Sequence, residues 1–247
     1  MAVGCHPHNA KHYDDALEQK LRDALADPQV SAVGEIGLDY HYDLSPREDQ
    51  RAAFRRQIRL AKEAGLPVVL HVREAHDDAF AILQDEGFPE AGTLLHCFNL
   101  DWAELERWVE AGCYVAFGGP LTFKKADEVR DAATRVPEDR LLTETDAPYM
   151  TPEPLRGNVC GPEHVIFTAE KLAEVRGFAP GQSYDRGTFL DKTLQNAYAL
   201  LDRPETAWQK ARVEELGIAD QVSPSARSLA AVEKWRASKK IKRQHQR

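Results

Sequence analysis

Six short apolar runs recur along the chain at fairly even intervals, over residues 2–5, 31–38, 67–72, 92–98, 113–117 and 141–145. None alternates strictly, and each is rich in Val, Leu, Ile or small residues, which predicts parallel strands buried on both faces. Helical patterns separate most of them. Ser45-Pro46-Arg47-Glu48 reads as a capping box with proline at the first helical position. Behind it Phe54, Ile58 and Ala61 share one face, and Gly65 then Pro67 stop the helix. Asp101 opens a second helix with Leu105, Trp108 and Val109 inward, and residues 125–135 predict a third. Strand and helix alternating in this way imply parallel βα units. After Asp146 the pattern changes: a proline-rich loop over 147–162 is followed by helices near 163–176 and 186–201 and a helical stretch near 204–216.

Composition narrows the class. A chain of 247 residues has the length of one α/β barrel, and 43% apolar residues exclude wholesale disorder. No apolar run approaches the roughly 20 residues that span a bilayer, so no membrane association is expected. The N-terminus carries His6, His8 and His12 where a signal peptide would be basic and then apolar. Cys5, Cys97, Cys113 and Cys160 are far apart and read as reduced thiols of a cytoplasmic protein. Residues 234–247 hold seven Lys or Arg and no acid, so the formal charge of −8 divides into +7 there and −15 elsewhere. An acidic body attracts phosphate poorly, and any nucleic-acid chemistry then needs a local site with metal cations. The basic tail itself reads as a solvated terminus or as a nucleic-acid-contacting arm.

Candidate chemistry sits where the strands end. In order, the predicted strand ends offer His6, Glu35, His71, His96, the pair Gly118-Gly119, and Asp146. Parallel strands of an α/β barrel open at one end into a shared mouth where catalytic groups collect. Two histidines, a glutamate and an aspartate converging there form an N/O ligand set suited to zinc, manganese or a related divalent ion. One histidine or acid after a strand is ordinarily a cap or a satisfied core group. The joint placement carries the inference.

The motifs Gly4-Cys5-His6-Pro7-His8, Gly34-Glu35-Ile36-Gly37-Leu38-Asp39-Tyr40, His71-Val72-Arg73, Leu95-His96-Cys97-Phe98 and Glu144-Thr145-Asp146-Ala147-Pro148-Tyr149 resemble, in order, those of the TatD-related deoxyribonuclease family. The resemblance covers about residues 1–202, leaving 203–247 as a helical extension with the basic tail. It implies a TIM-type (β/α)8 barrel of the metal-dependent hydrolase superfamily, binding two divalent ions (Mg, Mn or Zn) and cleaving phosphoester bonds, with DNA as partner. Carried over position by position, Glu35, His71, His96 and Asp146 would be metal ligands, with Glu35 and Asp146 also catalytic. Asp146 would orient or deprotonate the attacking water. His6 would line the substrate site, and Arg73, Lys124 and Arg156 would face phosphate. For Arg73 a salt bridge across the mouth is the competing reading.

The family's opening strand with its His-x-His ligand pair, and the βα unit after it, have no counterpart in this sequence. The expectation is six βα units of eight and four protein ligands in place of six, from a truncated reading frame rather than an evolved six-strand barrel. Asn99-Leu100-Asp101 and Asn158-Val159-Cys160 also depart from the family pattern near the mouth. Three readings stay open: a deoxyribonuclease-like phosphoester hydrolase, a barrel hydrolase acting on another ester or amide, and a metal-site-depleted fragment or binding protein.

Overall fold

The six apolar runs become β1 (Ala2–Val3), β2 (Ala32–Asp39), β3 (Val68–Arg73), β4 (Thr93–Leu95), β5 (Tyr114–Phe117) and β6 (Leu141–Thr143) in the computed structural model, which describes residues 1–178, 183–219 and 221–222. They pair in chain order and are all parallel, giving a six-stranded sheet with β1 and β6 at its edges. Helices α1 (Asp15–Leu25), α2 (Arg47–Ala64), α3 (His76–Glu86), α4 (Trp102–Glu110) and α5 (Asp127–Arg135) fall between successive strands. Beyond β6 come α6 (Val165–Val175), α7 (Ser183–Leu201) and α8 (Ala207–Leu216). This is the α/β barrel class, represented among the described residues by six strands with their helices. No helix among those residues is long and apolar enough to cross a membrane.

Burial on both faces explains why the strands lack alternation. Successive side chains of a strand point to opposite faces. Leu95, Val115, Phe117 and Leu141 face the helices, where they join Phe54, Ile58, Leu83 and Trp108 in the main core. Their neighbours Leu94, Ala116 and Leu142 face the other way and are covered by Leu200 of α7. The end of α7 is fixed there by Asn196, whose amide donates to the carbonyls of Glu138 (2.6 Å) and Leu141 (2.9 Å) at the start of β6. Thus α7 closes the amino end of the sheet.

The predicted helices form, with three differences. Helix α2 buries Phe54, Ile58 and Ala61 and ends at Gly65, which takes the left-handed conformation (φ 67°). Its capping box does not form: Ser45 instead donates to the carbonyl of His8 (2.8 Å) and accepts from the amide of Lys11, tying the loop after β1 to the loop after β2. The helix predicted from residue 125 begins at Asp127, behind a 3₁₀ turn over Gly119–Thr122. Helices α1 and α3 lie where no helix is assigned above. Helix α1 has Asp14 as its capping side chain but buries only Leu21 and Leu25, and α3 buries Ala79, Ile82 and Leu83 but has no capping side chain.

Helix α8 packs back on the body. Gln209 is buried and donates to the carbonyls of Leu25, Asp27 and Val30 just after α1, and Arg212 pairs with Asp23 at 2.6 Å. The basic segment 234–247 lies outside the described residues. All four cysteines are free thiols, with Cys5, Cys113 and Cys160 buried.

Candidate metal centre

The sheet delivers its polar side chains to one place by leaving regular geometry there. Glu35 is expected at a strand end, yet it lies inside β2, where the register with β3 skips it: Gly34 pairs with Val69 and Ile36 with Leu70. An extra residue of this kind bends the strand and re-aims its side chain. Glu35 is consequently exposed within an otherwise buried strand. Gly37 completes the irregularity, since a Cβ at its φ of +143° would collide with the carbonyl oxygen of His71. His71 itself sits inside β3 with Arg73 as the last strand residue, whereas His96 directly follows β4. His6 lies three residues beyond β1, and Asp146 three beyond β6 in the left-handed conformation (φ 55°).

Glu35, His71 and His96 each place a ligand atom within 4.8 Å of the others. The Nε2 of His96 is 3.5 Å from Glu35 Oε2. His6, His8 and His71 form a second such trio, and His6 Nε2 stands 4.0 Å from Glu35 Oε2. Asp146 belongs to neither trio. It is joined to the cluster through the thiol of Cys97, 3.9 Å from Asp146 Oδ2, and through the charges of His96, Glu144 and Glu35. Gly118 and Gly119 contribute backbone only, and a Cβ on Gly119 would strike the carbonyl oxygen of Met150, so glycine lets the loop after β6 cross there.

Two carboxylates without an assigned role in the sequence hold the candidate ligand histidines. Asp39, fully buried at the end of β2, contacts Nε2 of both His71 (3.0 Å) and His8 (2.8 Å). Glu144 Oε2 lies 3.2 Å from Nδ1 of His96. An ionised carboxylate only accepts hydrogen bonds, so these ring nitrogens carry the protons. In their neutral forms His71 and His96 would keep Nδ1 and Nε2, respectively, as bare lone pairs. Carboxylates behind imidazoles in this manner are the usual outer support of metal-ligating histidines. Asp39 is in turn held by the amides of His41 (3.0 Å) and Tyr42 (2.8 Å). The buried Gln50 accepts from its amide and donates to its carbonyl. Asp39 and Glu144 had one legible signal: an acid within, or just after, an apolar run.

Electrostatics follow this arrangement. Burial pushes the Asp39 carboxyl up, but the Tyr42 amide and the two histidines outweigh it and hold it at about 2. Burial, then the proximity of His71 and His8, drives His6 down to about 3, so it is a neutral imidazole at neutral pH. Burial also lowers His71, against the pull of Asp39. At His96 burial acts downward, yet the Glu144 hydrogen bond and the charges of Glu144, Glu35 and Asp146 lift it to about 9. Burial, with Glu144 and Glu35 nearby, raises Asp146. Glu144 Oε1 is buried with no hydrogen-bond partner. Excess negative charge around half-buried histidines and an orphaned carboxylate oxygen are what a cation would offset. The donor set therefore fits a divalent metal.

Among the described residues, the three basic residues expected to face phosphate carry no competing acid. Arg73 and Arg156 make no hydrogen bond or ion pair among the described residues, while each other described arginine makes at least one of these. Arg73 lies over the ring of Tyr42 at 4.7 Å and Arg156 over Phe123 at 3.5 Å. Lys124 is exposed next to Phe123. The salt bridge considered for Arg73 does not form among the described residues.

A parallel α/β barrel sheet with a cluster of histidines and carboxylates at its mouth defines a metal-dependent hydrolase of the barrel class. The sequence profile of the TatD-related DNase family matches residues 1–202, and the chain belongs to that family. The metal-dependent hydrolase YabD of Bacillus subtilis is 40% identical over 175 residues, covering 71% of this chain and 69% of YabD. The 3′-5′ ssDNA/RNA exonuclease TatD of Shigella flexneri is 33% identical over 180 residues, covering 71% of this chain and 69% of that protein. Among solved structures, the TatD homologue YjjV of Escherichia coli superposes with a TM-score of 0.73 at 32% identity, covering 82% of this chain and 76% of YjjV.

Proposed function

We propose that the protein hydrolyses phosphoester bonds of nucleic acid, with a divalent metal held by Glu35, His71 and His96 and with Asp146 completing the site. The observation that carries this reading is the pairing of each ligand histidine with a carboxylate behind it, Asp39 for His71 and Glu144 for His96. A mixed imidazole and carboxylate set favours zinc or manganese over magnesium or calcium. A second ion of the kind the resemblance implies would draw on the neighbouring trio His6, His8 and His71. The catalytic unit is residues 1–202, with 203–247 as an extension. Free, widely spaced cysteines suit a reducing compartment such as the cytoplasm.

When bound, the metal supplies Lewis acidity and makes water nucleophilic near neutral pH. The chain's own residues supply the rest. Asp146 accepts the proton of the attacking water at a carboxylate oxygen. His6, neutral and within 4.0 Å of Glu35, lines the pocket without repelling the ion. Arg73, Lys124 and Arg156 present cations to phosphate oxygens around an otherwise acidic mouth. Arg73 is pre-positioned by Tyr42 and has no acid to leave. The DNA and RNA exonuclease activity named for the Shigella relative supports a nucleic-acid substrate.

The test is Asp146→Asn assayed on single-stranded oligonucleotide alongside metal titration. Wild type should bind metal, lose cleavage in excess chelator and recover it on adding zinc or manganese. Asp146→Asn should retain metal and lose about 10²- to 10⁴-fold in kcat. Cleavage that survives excess chelator, or an unchanged kcat in the metal-loaded variant, contradicts the mechanism. No metal at saturating concentration would leave the binding-protein reading in its place.

A further inference from the structure

Tyr42 is an aromatic side chain that the fold holds out of the core rather than in it. The residue is 54% exposed, yet it is braced on several sides. Its ring stands nearly perpendicular to those of His8 (5.5 Å) and His41 (4.9 Å), and the guanidinium of Arg73 lies 4.7 Å from its centroid. Its amide donates to Asp39, the same carboxylate that orients His71. His8 in turn contacts His6 at 4.3 Å and His71 at 5.9 Å. A continuous line of rings therefore runs from the metal-ligating histidines to one exposed phenol. Rigidity, exposure and an adjacent cation together are how proteins receive an unpaired base, because every base has a stackable face and Arg reaches the phosphate beside it.

We propose that Tyr42 is a stacking platform for an unpaired nucleobase lying next to the phosphate held at the metal centre. The inference rests on the nucleic-acid reading above and adds to it the side chain that receives the base. A base must leave its partner to reach Tyr42, which agrees with the single-stranded substrate named for the Shigella relative. Stacking tolerates all four bases, and sequence preference should be weak. The neighbouring Arg73 and the rigid loop over Asp39 fix where the base sits relative to the scissile bond.

The experiment compares a short fluorescein-labelled oligothymidylate with versions carrying one abasic unit at successive positions from the 3′ end. Wild type should bind and cleave the intact strand about tenfold better than the version whose abasic unit faces Tyr42, within the roughly 5- to 100-fold range of one base–aromatic stack. In Tyr42→Ala that ratio should collapse to near unity, and Tyr42→Trp should restore it. A ratio that persists in Tyr42→Ala, or no abasic position that discriminates in wild type, overturns the platform. Fluorescence anisotropy reads the same ratio without turnover. Tenfold binding preference without cleavage would therefore sink the hydrolase reading and leave the platform standing.

Discussion

At the amino ends of the strands, Leu200 lies on Leu94, Ala116 and Leu142, and Asn196 satisfies the carbonyls of Glu138 and Leu141. At the carboxyl ends of the same sheet, His6, Glu35, His71 and His96 crowd one another, and Glu144 Oε1 is buried with no partner. Backbone conformation differs between the two ends as well. The turns that lead into β3, β4 and β5 take positive φ at Gly65, Gly92 and Gly112, where no Cβ is strained. The loops that leave the strands at the mouth take positive φ at Asp43, Glu74, Cys97, Asp146 and Met150. Each of these side chains is kept where glycine would cost less. One end of the sheet is optimised for folding. The other holds geometry that folding alone would not select.

The sharpest way to break this comparison is to damage the closed end and watch the open one. Leu200 is 1% exposed and covers the inner face of three strands. Leu200→Ala should cost about 2–5 kcal/mol through lost transfer energy and a residual cavity. Denaturant unfolding with and without zinc measures it. If the two ends are separate, metal affinity of the folded variant stays within a factor of about two. A tenfold loss of affinity would show that the floor positions the mouth.

The reverse experiment removes charge from the mouth with little change in shape. Asp39→Asn keeps the size of the side chain but can no longer accept from both His71 and His8 as a carboxylate does. Metal affinity should fall about 10- to 100-fold, the usual effect of losing an outer partner of a ligand histidine. Isothermal titration with zinc measures it. Unchanged affinity would mean that His71 is oriented by β3 alone and that Asp39 serves only the loop at Tyr42.

The closed end was far more legible than the open one. Apolar runs identify all six strands because burial on both faces leaves a local mark in composition. The candidate ligands Glu35, His71 and His96 were legible as polar residues interrupting or following those runs. Three relations between residues were not. The skipped residue that aims Glu35 depends on pairing with β3, which no local pattern encodes. Asp39 and Glu144 act through rings that are distant in sequence, by 32 residues to His71 and 48 to His96. The freedom of Arg73 from any acid depends on the absence of neighbours, and only a folded chain shows that.

Acid offers the gentlest separation of the two ends. His76 opens α3 just behind the mouth, packed edge to face against Trp108 (5.9 Å) and Phe98 (6.3 Å), with Nδ1 buried and unpartnered. Burial, then the charge of Arg107, lowers it from the ordinary 6.5 to about 4. The unfolded chain therefore binds a proton at this ring more readily than the folded one. Its contribution to stability is complete above about pH 6.5, declines as pH falls towards 4, and does not decline further below that. His76→Phe keeps a ring in the pocket and removes the titration. The stability difference between wild type and variant should slope only within that window, at no more than about 1.4 kcal/mol per pH unit. Amide exchange locates the effect: α3 should lose protection in wild type before α7 does, and should keep it in the variant. Equal loss in both helices would mean that the sheet transmits the strain of the mouth to the floor, and that the two ends are one cooperative unit.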